Sequence, residues 1–252
     1  MDKESIVKMG EDFVLKEDTM NIFQAPIFGF AAASDEYFKR FRQAGIIGEH
    51  FMLPEEWLIG SKTIISFFLP FSEEVKRSNS KDNAWPSFEW LQGRIEGQAF
   101  LSKLAEYLKV ELERAGYSSL IPAMDKRFWS KKDGGFTSNW SERHVAFVTG
   151  LGTFSLSKGL ITKKGVAGRF GSIITELELS PDLREYEGIY DYCSNCGACV
   201  KRCPVGAISL EKGKNHKICS DFQDITAEKY KPRYGCGKCQ VGVPCESCIP
   251  KK

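Results

Sequence analysis

All nine cysteines of this 252-residue chain lie in its last 60 residues: Cys193, Cys196, Cys199, Cys203, Cys219, Cys236, Cys239, Cys245 and Cys248. The first 192 residues contain none. A secreted chain stapled by disulfides throughout would spread its cysteines along its length. The asymmetry instead predicts a cysteine-free globular body, residues 1–185, joined to a small module, residues 186–252, held together by what its cysteines bind. Ser180-Pro181-Asp182 punctuates the chain and puts the boundary between about 180 and 190.

Cys193-Ser-Asn-Cys196-Gly-Ala-Cys199-Val-Lys-Arg-Cys203-Pro204 has the spacing C-x2-C-x2-C-x3-C-P, the bacterial ferredoxin run. Three thiolates two residues apart wrap one cubane, and Gly197 lets the backbone turn closely around it. The fourth thiolate points to a second cube. A tetrahedral zinc site also uses C-x2-C pairs, but four cysteines within 11 residues ending in Pro suit it poorly. The run predicts two [4Fe–4S] clusters. One takes Cys193, Cys196, Cys199 and a returning Cys245; the other takes Cys203, Cys219, Cys236 and Cys239. Two cubes use eight thiolates. Cys248, near the C-terminus, is the spare, although Cys245 and Cys248 can exchange roles on spacing alone.

The charge divides the same way. From Cys193 onward there are 11 basic and 5 acidic residues, +6, which leaves the body at −4. A basic module suits nucleic acid. It also offsets clusters, since an oxidised cubane with four thiolates carries about −2. The N-terminus is charged with no apolar signal region after it, and the most apolar stretch, Thr63 to Leu69, is too short to span a bilayer. These features predict a cytoplasmic protein without a membrane partner, in a compartment that favours metal or redox chemistry over disulfides.

Helices and strands interleave in the body, which predicts an α/β or α+β fold. Residues 1–30 read as a helix followed by the apolar segment Ile27 to Ala33, and Asp35 to Gly45 as a short helix. Lys62 to Leu69, β-branched and aromatic and ended by Pro70, reads as a buried strand. Ser72 to Pro86 reads as a loop. Leu101, Leu104, Ala105, Leu108 and Leu112 recur at helical spacing within a helix from Phe88 to Ala115, stopped by Gly116. Phe170 to Leu179 alternates as a strand, with Ile173, Thr175, Leu177 and Leu179 on one face.

With the ferredoxin run, the lone Cys219 and Tyr234-Gly-Cys-Gly-Lys-Cys-Gln240, the module resembles that of the epoxyqueuosine reductases. The blocks at 141–154, at 157–162 (Ser-Lys-Gly-Leu-Ile-Thr) and at 168–179 are similar to that family's central part, and residues 54–69 more loosely so. The family is related to corrinoid-dependent reductive dehalogenases. The resemblance implies a nitroreductase-like body holding cobalamin near one cluster of a ferredoxin-like module. It also implies an external electron donor such as a ferredoxin or flavodoxin, and a small-molecule substrate.

Six glycines, Gly150, Gly152, Gly159, Gly165, Gly168 and Gly171, fall within 22 positions. Glycines let a backbone approach a flat ligand; they also make tight turns. The resemblance favours the ligand and implies Gly150, Gly152, Lys158, Gly168, Gly171 and Ser172 as the cofactor-binding set. There is no Walker A run, and Gly150-Leu-Gly152 lacks the rest of a dinucleotide fingerprint.

Two departures stand out. The family carries an Asp a few residues before its Glu-Arg pair, resembling a proton donor. The matching stretch here, Gly134 to Trp140, has no carboxylate, and Asp133 is out of register. The chain also stops four residues after Cys248, without an extension that would grip tRNA. No catalytic residue is assigned. His144 reads either as a general acid or axial ligand or as a structural histidine, and His50 and His216 as surface residues. Trp85, Trp90, Trp129 and Trp140 read as pocket or core aromatics. The leading expectation is a corrinoid-dependent reductase fed by two clusters. The alternatives are a two-cluster electron carrier without corrinoid, and a basic module docked on tRNA.

Overall fold

Thr63–Pro70 forms the central strand, and every one of its eight residues is buried. In the computed structural model, which describes residues 1–131 and 136–251, it lies inside an antiparallel four-stranded sheet. The chain runs α1 (Lys3–Glu17), β1 (Ile27–Ala32), α2 (Glu36–Arg40), α3 (Pro54–Trp57), β2 (Thr63–Pro70), α4 (Glu73–Ser80), α5 (Phe88–Arg114) and β3 (Ser119–Leu120). Then come β4 (Ser130–Lys131), β5 (Thr137–Ser138), α6 (Glu142–Val148), β6 (Gly152–Phe154), β7 (Leu160–Thr162) and β8 (Gly168–Thr175). The module adds α7 (Ala198–Arg202), β9 (Ile208–Ser209), β10 (Gly213–Lys214) and α8 (His216–Lys229). The main sheet has the order β1-β2-β8-β3, with Ile65 opposite Ile173 and Phe68 opposite Phe170. The fold is mixed α and β.

The strand period of two sorts β2 onto two cores. Ile65, Phe67 and Leu69 join Ile6 and Val14 of α1 and Leu101, Leu104, Leu108 and Leu112 of α5. Ile64 and Phe68 face the other way, into an aromatic core with Phe38, Phe51, Trp57, Trp140 and Phe147. There Trp140 stacks on Phe51 with ring centroids 5.5 Å apart. The helix expected from 88 to 115 runs from Phe88 to Arg114. The strand expected from 170 to 179 starts and ends earlier, at Gly168 and Thr175, but the alternation persists, since Leu177 still reaches the first core. The helix expected from Asp35 to Gly45 stops at Arg40, and Gly45 takes a positive φ beyond it.

The stretch read as a loop from Ser72 to Pro86 contains α4. Ser72 caps it by accepting from the Val75 amide, with Glu73 and Glu74 in the first turn. Its inward side is polar: Lys76 and Asn79 are 1% and 0% exposed. That face grips the cysteine module. Lys76 Nζ donates to Ser247 Oγ at 2.7 Å, and Asn79 Nδ2 donates to the Cys236 carbonyl at 3.1 Å. Lys238, also fully buried, donates from Nζ to the Asn79 carbonyl at 2.7 Å and to Asn79 Oδ1 at 3.1 Å. Body and module also share a core, for Val241 packs in the cluster that contains α5. A buried ammonium that loses a partner costs more than an ordinary hydrogen bond. Asn79→Ala is therefore expected to destabilise the protein by about 2–3 kcal/mol, measured by denaturant unfolding under anaerobic conditions, whereas Arg77→Ala, at an exposed position of the same helix, should sit within about 0.5 kcal/mol of the parent.

Candidate metal centre

Two Cys-Gly-x-Cys turns organise the module. Gly197 and Gly237 both sit in the left-handed region, at φ 71°, ψ 3° and φ 68°, ψ 4°, and each starts a helical turn that carries the next cysteine. The sharp reversal brings Cys196 and Cys199 onto one side, and likewise Cys236 and Cys239. Against the first turn lies a small pocket with Cys193, Cys196, Cys199 and Cys245 in its wall. Cys248 is absent from that wall; it is exposed, with Sγ 3.7 Å from the Pro244 carbonyl.

The remaining four cysteines are neighbours of one another. Burial raises the Cys239 thiol, and the thiolates of Cys219 and Cys203 add to the effect. Cys236 is pushed up to about 12 by burial, then by Cys239 and Cys219. In the first set, burial pushes Cys199 to about 11, with Cys239, Cys193 and Cys196 as the charges behind it. Cys245 rises to about 12 through burial, with Cys193, Cys199 and Cys196 next. Cys245 thus lines one pocket with Cys193, Cys196 and Cys199, while Cys219 is among the charges acting on both Cys236 and Cys239, and Cys203 acts on Cys239. Cys239 is the thiol through which the sets approach each other.

The donor chemistry fits iron–sulfur clusters. Burial raises the thiols of Cys199, Cys236, Cys239 and Cys245, so their thiolate forms call for a cation in place of the proton. Among the described residues no three His, Cys, Asp or Glu side chains gather as for a single metal ion, whereas a cubane spreads its sulfurs over the corners of a cube.

The glycines chosen as points of approach for a flat ligand are filled by the chain itself. A Cβ on Gly152 would fall 1.9 Å from the Ile161 carbonyl oxygen, across the β6–β7 hairpin. On Gly168 it would meet the Leu69 carbonyl at 2.3 Å, and on Gly171 the Phe67 ring at 2.7 Å. Gly150 makes a turn at φ +83° beside the Leu183 backbone. Close packing within the chain accounts for glycine at 152, 168 and 171. Ser172 is buried and accepts from Trp140 Nε1 at 3.0 Å. Lys158 takes a positive φ, donates from Nζ to Tyr190 Oη at 2.7 Å, and its carbonyl accepts from Arg143.

His144 is lodged between Phe41 and Phe154 and bonded to Ser141, Nδ1 to Oγ 2.7 Å. Burial, then Arg143 and Lys158, lowers it to about 4, so it is neutral at pH 7; this is the structural reading. His50 and His216 are half-buried rather than superficial, His50 bonded to Thr137 Oγ1 and His216 stacked on Phe136. Trp90 and Trp140 are core residues. Trp85 packs on Phe222 under Lys229, and Trp129 against His50. Asp133 and Gly134 lie outside the described residues.

Glu142 went unnoticed in the sequence because it reads as an ordinary acidic residue of a first helical turn. Its two carboxyl oxygens are buried and make no well-formed hydrogen bond, although the Ser172 hydroxyl lies near them. Burial raises it to about 7 from its usual 4.5, with Ser172 opposing slightly. Below about pH 4.5 folded and unfolded chains both hold the proton. Between about 4.5 and 7 only the folded chain keeps it, so stability falls as pH rises, and above 7 a cost of about 2–3 kcal/mol is fully present. Glu142→Gln is therefore expected to equal the parent at pH 4.5 and to exceed its stability by about that amount at pH 8, measured by urea unfolding at both pH values.

Residues 186–209 match the 4Fe-4S binding domain family, so the chain carries an iron–sulfur module. Over 118 residues it is 34% identical to an epoxyqueuosine reductase of Listeria monocytogenes, covering 43% of this chain and 30% of that protein. Over 112 residues it is 32% identical to a tetrachloroethene reductive dehalogenase of Desulfitobacterium hafniense, covering 42% of this chain and 20% of the relative. The chain thus spans less than a third of either relative. The solved epoxyqueuosine reductase of Streptococcus thermophilus shares the fold, with a TM-score of 0.57 at 22% identity over 97% of this chain and 66% of that one. The chain is thus similar in part to epoxyqueuosine reductases and to reductive dehalogenases, and it shares the fold of a solved epoxyqueuosine reductase.

Proposed function

We propose that this protein is a two-cluster iron–sulfur oxidoreductase of the epoxyqueuosine-reductase-like class. Cys193, Cys196, Cys199 and Cys245 would hold one [4Fe–4S] cluster, and Cys203, Cys219, Cys236 and Cys239 the other. The observation that supports this reading is the one pocket wall shared by Cys193, Cys196, Cys199 and Cys245, with Cys248 exposed outside it. Bound there, the clusters supply one-electron chemistry. The chain's own part is to bury the thiolates, present backbone and side-chain donors to them, and fix them against the body through α4. Electrons would come from an external carrier such as a ferredoxin or flavodoxin and pass toward a small-molecule substrate.

The finer reading places a corrinoid in the body. Likeness to a tetrachloroethene reductive dehalogenase supports it, and so does an unpartnered buried carboxyl at Glu142. The glycine set does not, since its open space is taken by Ile161, Leu69 and Phe67; no step is derived through that cofactor. The same filled glycines favour the second reading, an electron-transfer protein that binds no corrinoid. Anaerobically reconstituted protein mixed with cob(II)alamin separates the two. A protein-dependent change in the cobalt EPR signal establishes the corrinoid reading, and an unchanged signal at saturating protein removes it. Failure to bind iron and sulfide at all would remove the iron–sulfur assignment beneath both.

A further inference from the structure

Where the segment before Cys236 crosses α5, the packing of that helix on β8 changes from apolar to cationic. Leu101 of α5 lies against Gly171 of β8, 3.1 Å from where a Cβ would stand, and Ile173 continues the core beyond it. One helical turn back along α5 and one strand period back along β8, the apposed residues are Gln98 and Arg169. Arg169 Nη2 donates to Gln98 Oε1. A further turn back on the same side of α5 stands Arg94. Its guanidinium lies 4.3 Å from the centre of the Tyr234 ring. Gly235 lets the backbone press on its stem, since a Cβ there would fall 2.6 Å from Arg94 Cδ.

Two guanidinium groups thus stand about a turn apart without a counter-charge. Among the described residues no carboxylate forms an ion pair with either, and Glu96, two positions from Arg94, is taken by Arg233. Arg94 Nε is buried with no hydrogen-bond partner. Burial lowers the Arg169 guanidinium to about 10, with the Arg94 charge adding to the fall and Tyr234 opposing it. Gln98 uses its carbonyl on Arg169 and keeps its amide N–H groups as donors. Donors unmatched by acceptors suit a group that only accepts, an ionised oxyanion. Guanidinium is weakly hydrated and binds phosphate through paired N–H bonds. A cation out of water and without a partner is costly until an anion joins it. Both arginines are half-buried, so the recess suits a small ligand rather than the face of a macromolecule, with the exposed Tyr234 at its rim.

We propose that Arg94, Arg169 and Gln98 form a binding site for a phosphate group, carried either by inorganic phosphate or by a small organic molecule. Arg169 shares the α5 face of β8 with Ile173, whereas Ser172, bonded to Trp140, belongs to the opposite, aromatic-core face. The site is therefore separate from Glu142 and from the cysteine groups, and it stands whether or not two clusters are bound. A bound phosphate ties α5 and β8 to the segment that leads into Cys236.

The test is a titration of the full-length, anaerobically reconstituted protein with inorganic phosphate, followed by calorimetry and by thermal unfolding, with chloride holding the ionic strength constant. Phosphate should bind saturably at one site and raise the unfolding temperature. Arg94→Gln and Arg169→Gln should each weaken binding at least about tenfold. Lys217→Gln, which removes an exposed lysine paired with Asp221, should leave it unchanged. Gln98→Glu places a carboxylate beside both guanidinium groups. Without phosphate it should unfold at a higher temperature than the parent, and it should bind no phosphate; it serves as the test even where an arginine variant folds poorly. Glycerol phosphate binding more tightly than inorganic phosphate identifies a small organic phosphate as the ligand class, and the reverse order identifies the free ion. No saturable binding, acetate binding as tightly as phosphate, or phosphate binding that survives in Gln98→Glu or in both arginine variants would overturn the inference.

Discussion

Cys245→Ser protein is expected to retain about half of the parent's iron after anaerobic reconstitution, and Cys248→Ser all of it. The two residues lie three apart near the C-terminus, and spacing does not separate them. Their surroundings do. Cys245 is in the wall of the cavity that holds Cys193, Cys196 and Cys199, and those three thiolates are the charges that act on it. Cys248 is exposed. The Cys245 carbonyl also accepts from the Val166 amide at 2.9 Å, which pins the returning segment to the body. Losing one of four thiolates removes the cluster that depends on it, so iron, sulfide and the broad absorbance near 400 nm (an approximate band position for clusters of this kind) should fall together. Loss in Cys248→Ser alone would show that the ligand is the outer cysteine, and equal losses in the two variants would contradict the assignment of Cys245 alone.

Gly237→Ala should be among the most damaging single-methyl changes in the molecule. A Cβ there would fall 1.9 Å from the Trp90 ring, and φ is +68°. Trp90 is itself held in the core against Phe71, so neither side can yield without moving α5 or the cysteine turn. Overpacking and strain together are expected to cost about 3 kcal/mol or more. Because the displaced turn carries Cys236 and Cys239, the cluster they help to hold should be lost as well. Gly116→Ala is the informative comparison. It also has a positive φ, +91°, but nothing lies within 4 Å, so strain alone should cost about 1 kcal/mol. Thermal unfolding of both variants, with iron content measured alongside, checks the difference.

What could be read from sequence follows the range of the interactions involved. The ferredoxin run was legible because its chemistry is local: a glycine turn and fixed cysteine spacing determine which way the sulfurs face. The strand at 63–70 and the helix at 88–114 were legible because their apolar period reports a buried face. Helix α4 was not, because two of its three buried residues are Lys76 and Asn79, and Val75 alone makes no hydrophobic period; the signal present was Ser72 followed by Glu73 and Glu74, a cap with an acidic first turn. Its partners, Cys236, Lys238 and Ser247, lie more than 150 positions away. The glycines at 152, 168 and 171 show the opposite limit. A glycine signals that something comes close, but only the fold shows that the visitor is the neighbouring hairpin strand, the Leu69 backbone or the Phe67 ring. Glu142 was hidden for a related reason, since its burial depends on the fold and brings it beside Ser172 of β8, 30 positions away.

The central claim is that eight of the nine cysteines hold two cubane clusters. Mössbauer spectroscopy on protein reconstituted anaerobically with ⁵⁷Fe tests it most directly, because it counts iron and identifies the cluster type at once. The expected result is about eight iron atoms per chain, all in the doublets of oxidised [4Fe–4S] clusters, with Cys248→Ala unchanged. About four iron atoms, or tightly held zinc in place of iron, would contradict it.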